Sequence, residues 1–81
     1  MRIVFGEEVL EVFGELPEHS KRKAAGVLDL LIRFPRMFAV RRKEILRGYR
    51  CFEVDQSLFY YEFSSKEIRL VGILPGMMRR A

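Results

Sequence analysis

One cysteine and one histidine are all the thiol and imidazole chemistry in this chain of 81 residues. A lone Cys51 cannot close an internal disulfide, so the expected setting is a reducing cytoplasm. Together with His19 it falls short of the four-ligand set that zinc takes, and no metal or other cofactor is expected. No apolar run approaches the roughly 20 residues that span a bilayer, so no membrane is expected. The N-terminus lacks the charged-then-apolar layout of a signal peptide. No repeat, low-complexity tract or linker interrupts the chain, and it reads as one domain over residues 1–81.

What is present fits a globular fold. Hydrophobic residues make up 49% of the chain and charged residues 32%, a balance that argues against disorder. A domain this small buries only about 60% of its unfolded surface and is marginal without a partner. Charge is unevenly spread. Residues 1–18 carry a net −4, residues 19–52 a net +8, and residues 53–81 balance. The basic density peaks at Arg33, Arg36, Arg41, Arg42, Lys43, Arg47 and Arg50. Such a block is the footprint of a polyanion or the docking surface for an acidic partner.

The second half holds three runs rich in β-branched and aromatic residues, Tyr49–Val54, Leu58–Phe63 and Ile68–Leu74. Short polar separators, Asp55-Gln56-Ser57 and Ser64-Ser65-Lys66-Glu67, predict turns. Connections that short force neighbouring strands antiparallel. Period-two reading puts Phe59, Tyr61 and Phe63 on one face, opposite Leu58, Tyr60 and Glu62. The third run alternates Val71 and Ile73 with Leu70, Gly72 and Leu74, apolar on both faces as in a central strand.

The first half supplies the cover. Arg2–Phe5 is too short to be more than an edge strand or a tail. Gly6-Glu7-Glu8 opens a helix, with carboxylates at its positive end. Its buried stripe is Val9, Val12, Phe13 and Leu16, and Glu7, Glu11 and Glu15 line an exposed acidic edge. Pro17 breaks this helix and starts a second over Glu18–Arg33. There the stripe is Ala24, Val27, Leu28 and Leu31, and Gly26 is a weak spot. Pro35 ends it. The segment Phe34–Leu46 interleaves Phe34, Met37, Phe38 and Val40 with arginines. It is expected to lie extended across the sheet and to turn strand-like near Glu44-Ile45-Leu46. The expected class is α+β, a β-α-α-β-β-β chain with a helical hairpin on a small antiparallel sheet.

In that order of elements the chain resembles the RelE/ParE superfamily of toxins from type II toxin–antitoxin modules. The features that carry the resemblance are Arg2–Phe5, the hairpin closing in Phe34-Pro35-Arg36-Met37, and Leu46-Arg47-Gly48-Tyr49-Arg50 leading into a strand. Phe59-Tyr60-Tyr61 follow, then Ile68–Leu74 with Pro75-Gly76 and the pair Arg79-Arg80. The resemblance implies a growth-inhibiting toxin held neutral by a cognate antitoxin, with a homodimer or a toxin–antitoxin heterotetramer as its assembly. It implies one of two targets, DNA gyrase for a ParE-like member or mRNA in the ribosome for a RelE-like endonuclease.

The RelE-like set includes strand lysines, an arginine opening the third strand, an arginine after the last strand and a C-terminal tyrosine. Here Ser57-Leu58 and Met77-Met78 stand in two of those places, and no tyrosine follows Gly76. ParE-like chains often end in a His-Gly-Arg-Arg-like sequence, where Pro75 and two methionines intervene here. The absences favour the non-nuclease branch, with a catalytically silent RNA- or protein-binding module as the third alternative. The target-binding candidates are Arg41, Arg42, Lys43, Arg47, Tyr49, Arg50, Arg79 and Arg80, and no catalytic residue is assigned. Tyr49, Tyr60 and Tyr61 are read chiefly as core aromatics, and His19 as exposed and idle.

Overall fold

A computed structural model describes residues 1–40 and 48–75. The elements run β1 (Arg2–Phe5), α1 (Glu7–Gly14), α2 (Glu18–Arg33), β2 (Arg50–Val54), β3 (Ser57–Phe63) and β4 (Glu67–Pro75). The three later strands form the expected antiparallel meander, β2 against β3 and β3 against β4. β1 departs from the expected antiparallel sheet. It lies alongside β4 and parallel to it, Ile3 opposite Ile68 and Phe5 opposite Leu70, so the sheet is mixed with order β1-β4-β3-β2. The two intervening helices give the chain the length that a parallel return requires.

Both helices contribute to one apolar core on one face of the sheet. Val9 of α1 and Ala24, Leu28 and Leu31 of α2 meet Phe52, Val54, Phe59, Tyr61, Ile68 and Leu70. Phe5 and Phe13 meet edge to face at 5.2 Å, fixing α1 to β1. Phe52 stacks on Phe59 across the β2–β3 ladder, centroids 5.0 Å apart. One stripe residue lies elsewhere: Val12 is 40% exposed, because it sits at the edge of the α1 stripe and turns past the sheet.

Strict alternation fails in β4. The register slips between Tyr60 and Tyr61, which pair with Gly72 and Leu70, so Val71 is the extra residue of a bulge. The bulge carries Ile73 onto the core face opposite Phe59, with Ile68 and Leu70. On the other face the Tyr60 ring lies over Gly72, where an added Cβ would stand 2.1 Å from Tyr60 Cζ. Any side chain there would have to displace the Tyr60 ring, which packs against Tyr49.

The segment after α2 is not extended at its start. It turns at residues 35–38, with the Met37 N–H donating to the Phe34 carbonyl at 3.0 Å. Pro35 forces the turn by ending α2. Phe38 then points inward, 5.5 Å from Phe52, and Val40 bridges Arg50 at the outer edge of β2. The expected strand-like stretch Glu44-Ile45-Leu46 lies outside the described residues.

Candidate binding site at the start of the second strand

Arg50 is the first residue of β2 and pairs with Tyr61, so both side chains lie on the helix-bearing face. Arg50 Nη1 donates to the Phe38 carbonyl at 2.7 Å, and the guanidinium lies 5.6 Å from the Phe63 ring centre. Arg36, from the turn after α2, brings its guanidinium to 5.4 Å from the same ring. Two cations therefore share one aromatic. No described carboxylate lies within ion-pair distance of either one. An arginine carries five N–H donors, so Arg50 keeps most of its fork after bonding Phe38. Such a pair is suited to a carboxylate or a phosphate.

Tyr61 lies beneath this pair, fully buried, and its hydroxyl donates to the Pro35 carbonyl at 2.8 Å. Burial pushes its pKa above the ordinary tyrosine value, with the nearby Arg50 charge opposing. A phenol shifted that way, its proton already engaged, is poorly placed to act as an acid.

Of the sequence candidates, Arg50 belongs to this site. Tyr49 does not. Its ring packs 5.5 Å from Tyr60, on the sheet face away from the helices. Arg41, Arg42, Lys43, Arg47, Arg79 and Arg80 lie outside the described residues. Arg36 and Phe63 were missed as site residues. The sequence offered a hint in the basic block that includes Arg36, but nothing placed it over a ring some two dozen residues further along the chain.

A second polar cluster sits at the β2–β3 turn. The Asp55 carboxylate accepts from Ser20 Oγ at 2.8 Å and from Lys23 Nζ at 2.9 Å, with His19 Nε2 3.4 Å away. The hydrogen bonds from Lys23 and Ser20 hold its pKa below the usual carboxylate value. His19 thus stands beside a carboxylate where the sequence suggested an idle residue. The cluster is not a nucleophile–base–acid relay, because Ser20 donates straight to Asp55 and not to the imidazole. It clamps the turn to α2.

Among the described residues no group of three His, Cys, Asp or Glu side chains is placed to hold a metal. No described helix is long and apolar enough to cross a membrane. No protein-family model, curated protein or solved structure matches the chain. Its small α+β fold, two helices on a four-stranded mixed sheet, and the geometry at Arg50 are therefore the basis for any functional reading.

Proposed function

We propose that the chain is the toxin half of a type II toxin–antitoxin module of the RelE/ParE kind, acting by gripping an acidic or polyanionic target surface. DNA gyrase, the ParE-like target, is preferred over mRNA in the ribosome. The order of elements that carried the resemblance supports this reading. The observation that carries it is the Arg36–Phe63–Arg50 cluster, two guanidiniums with no described carboxylate beside them. Arginine stays protonated and stabilises negative charge, but it accepts protons poorly. The titratable neighbour Tyr61 is buried with its hydroxyl engaged. Binding is the chemistry this arrangement does best.

Inducible expression of the lone chain tests the reading. Growth arrest is expected, relieved in Arg36→Gln/Arg50→Gln, with circular dichroism checking that the variant stays folded despite losing the Arg50–Phe38 hydrogen bond. Primer extension on translated messages should show no codon-positioned cuts, while plasmid supercoiling should fall. Unimpaired growth at strong expression would sink the toxin reading, and codon-positioned cuts would replace it with the RelE-like nuclease.

A further inference from the structure

The end of β4 borders an apolar hollow that the described residues leave open. Val12 of α1 and Leu16 just after it, Ile73 and Pro75 of β4, and the turn at residues 55–57 line a space of ≈ 360 Å³. Val12 is 40% exposed, although it belongs to the apolar stripe of α1. Phe13, on the other flank of that stripe, is taken up by Phe5 of β1. Val12 turns the opposite way and forms part of the floor of the hollow.

The rim along α1 is acidic. Glu8 stands one turn before Val12 and Glu15 close to one turn after it, with Glu11 beside them. All three are exposed, and none has an ion pair among the described residues. Like charges at three- and four-residue spacing repel, so a cation laid along this edge relieves them. On the opposite rim the Asp55 carboxylate is already held by Lys23 and Ser20. The carboxylates in want of a partner therefore lie along α1, beside an apolar floor. A short segment with apolar side chains followed by cations matches both.

The chain carries such a segment next to the hollow. Pro75 lines it, and Gly76-Met77-Met78-Arg79-Arg80-Ala81 follow in the sequence, outside the described residues. Proline followed by glycine suits the two central positions of a type II turn, which reverses the chain. The five residues after Gly76 reach about 17 Å when extended. From Leu16 back to Glu8 is only about 12 Å at helical rise. Methionine adapts to shallow, irregular apolar surface. We propose that residues 76–81 fold back at Pro75-Gly76 and strap this hollow, with Met77 and Met78 on Val12 and Leu16 and with Arg79 and Arg80 against Glu8, Glu11 and Glu15. The strap ties the last strand to the first helix and withdraws Arg79 and Arg80 from the residues that face a target. It stands independently of the toxin reading, which rests on Arg36 and Arg50.

Nuclear magnetic resonance on the intact chain, with isotopically labelled methionine methyls, tests it. Met77 and Met78 should show Overhauser contacts to the Val12 and Leu16 methyls, unchanged on dilution and weakened several-fold as salt is raised. Arg79→Glu/Arg80→Glu should remove most of that intensity by setting like charges together. Adding Glu11→Arg/Glu15→Arg to that variant should restore it, and these positions near the C-terminal end of α1 tolerate cations. Val12→Asp should release Met77 and Met78 from Leu16 without unfolding the chain, since Val12 is partly in solvent. Circular dichroism checks that each variant folds. The proposal is overturned by an intact chain without these contacts, or by contacts that survive both Arg79→Glu/Arg80→Glu and Val12→Asp. Contacts found only between differently labelled copies would also overturn it and give the hollow to a second chain.

Discussion

Ser20 Oγ on α2 donates to Asp55 Oδ2 in the β2–β3 turn at 2.8 Å, joining positions 35 residues apart. Ser20 is the one buried polar side chain of the described core, and this bond is what satisfies it. Ser20→Ala removes a donor that Asp55 uses, but Lys23 still holds the carboxylate. Asp55→Ala strands the buried hydroxyl and frees the turn. The melting temperature should therefore fall further for Asp55→Ala than for Ser20→Ala, as read by circular dichroism.

The same carboxylate sets a pH dependence. Its folded pKa is lowered from 3.8 by Lys23 and Ser20, so the folded state binds fewer protons than the unfolded chain in that range. Its stabilising contribution is then fully present above the unfolded value and is lost as pH falls through the lower folded one. Wild-type stability should drop with acidification in the region below about pH 4, and Asp55→Asn should flatten that limb. An unchanged acid limb in urea titrations of Asp55→Asn would show that other carboxylates govern it.

The turn itself is strained at one residue. Asp55 and Gln56 have φ of 46° and 70°, the left-handed pair of a two-residue hairpin turn. Aspartate tolerates that region, and glutamine does so less readily. Gln56→Gly should stabilise the chain by about 0.5–1 kcal/mol in urea unfolding. A loss of stability would mean that the Gln56 side chain holds something its backbone does not reveal.

The core assignment predicts unequal costs for two residues of similar hydropathy. Leu28 lies among Phe52, Phe59 and Ile68 in the buried cluster, and Leu28→Ala should cost about 2–5 kcal/mol. Val12, although part of the same apolar pattern, is partly in solvent, and Val12→Ala should change stability by no more than about 0.5 kcal/mol. Equal shifts in the urea midpoint would contradict this division.

Gly72 and Tyr60 should be energetically coupled. Gly72→Ala forces its new methyl into the Tyr60 ring and should destabilise by about 1–3 kcal/mol. In a Tyr60→Ala background the same change should be neutral or favourable, because glycine weakens a strand where nothing crowds it. A double-mutant cycle with no interaction energy would show the ring swings aside without cost.

Helix bounds were legible because Pro17 and Pro35 mark them and the apolar stripes repeat at helical period. The hairpin strands were legible from alternation and polar turns. The parallel seat of β1 was not, since four residues carry no sign of which strand they join or in which direction. The bulge at Val71 was hidden because the run Leu70–Leu74 is apolar at every side chain, so a slip of one place leaves the pattern unchanged. At the candidate site Arg50 stood out by its place before a strand. Arg36 and Phe63 meet only through the turn after α2, a tertiary relation that spacing does not encode.

The seating of β1 beside β4 has a consequence during synthesis. A ribosome releases residues in order, so Ile3 and Phe5 emerge long before Ile68 and Leu70, which they must pair with. Until then the helices have at most the β2–β3 hairpin to rest on, and β1 has no strand to pair with. Closure has to wait for the last strand, and it then joins the whole length of the chain in one step. For that interval the nascent chain exposes the surface most in need of shielding, and chaperone demand should peak just before Leu70 leaves the exit tunnel.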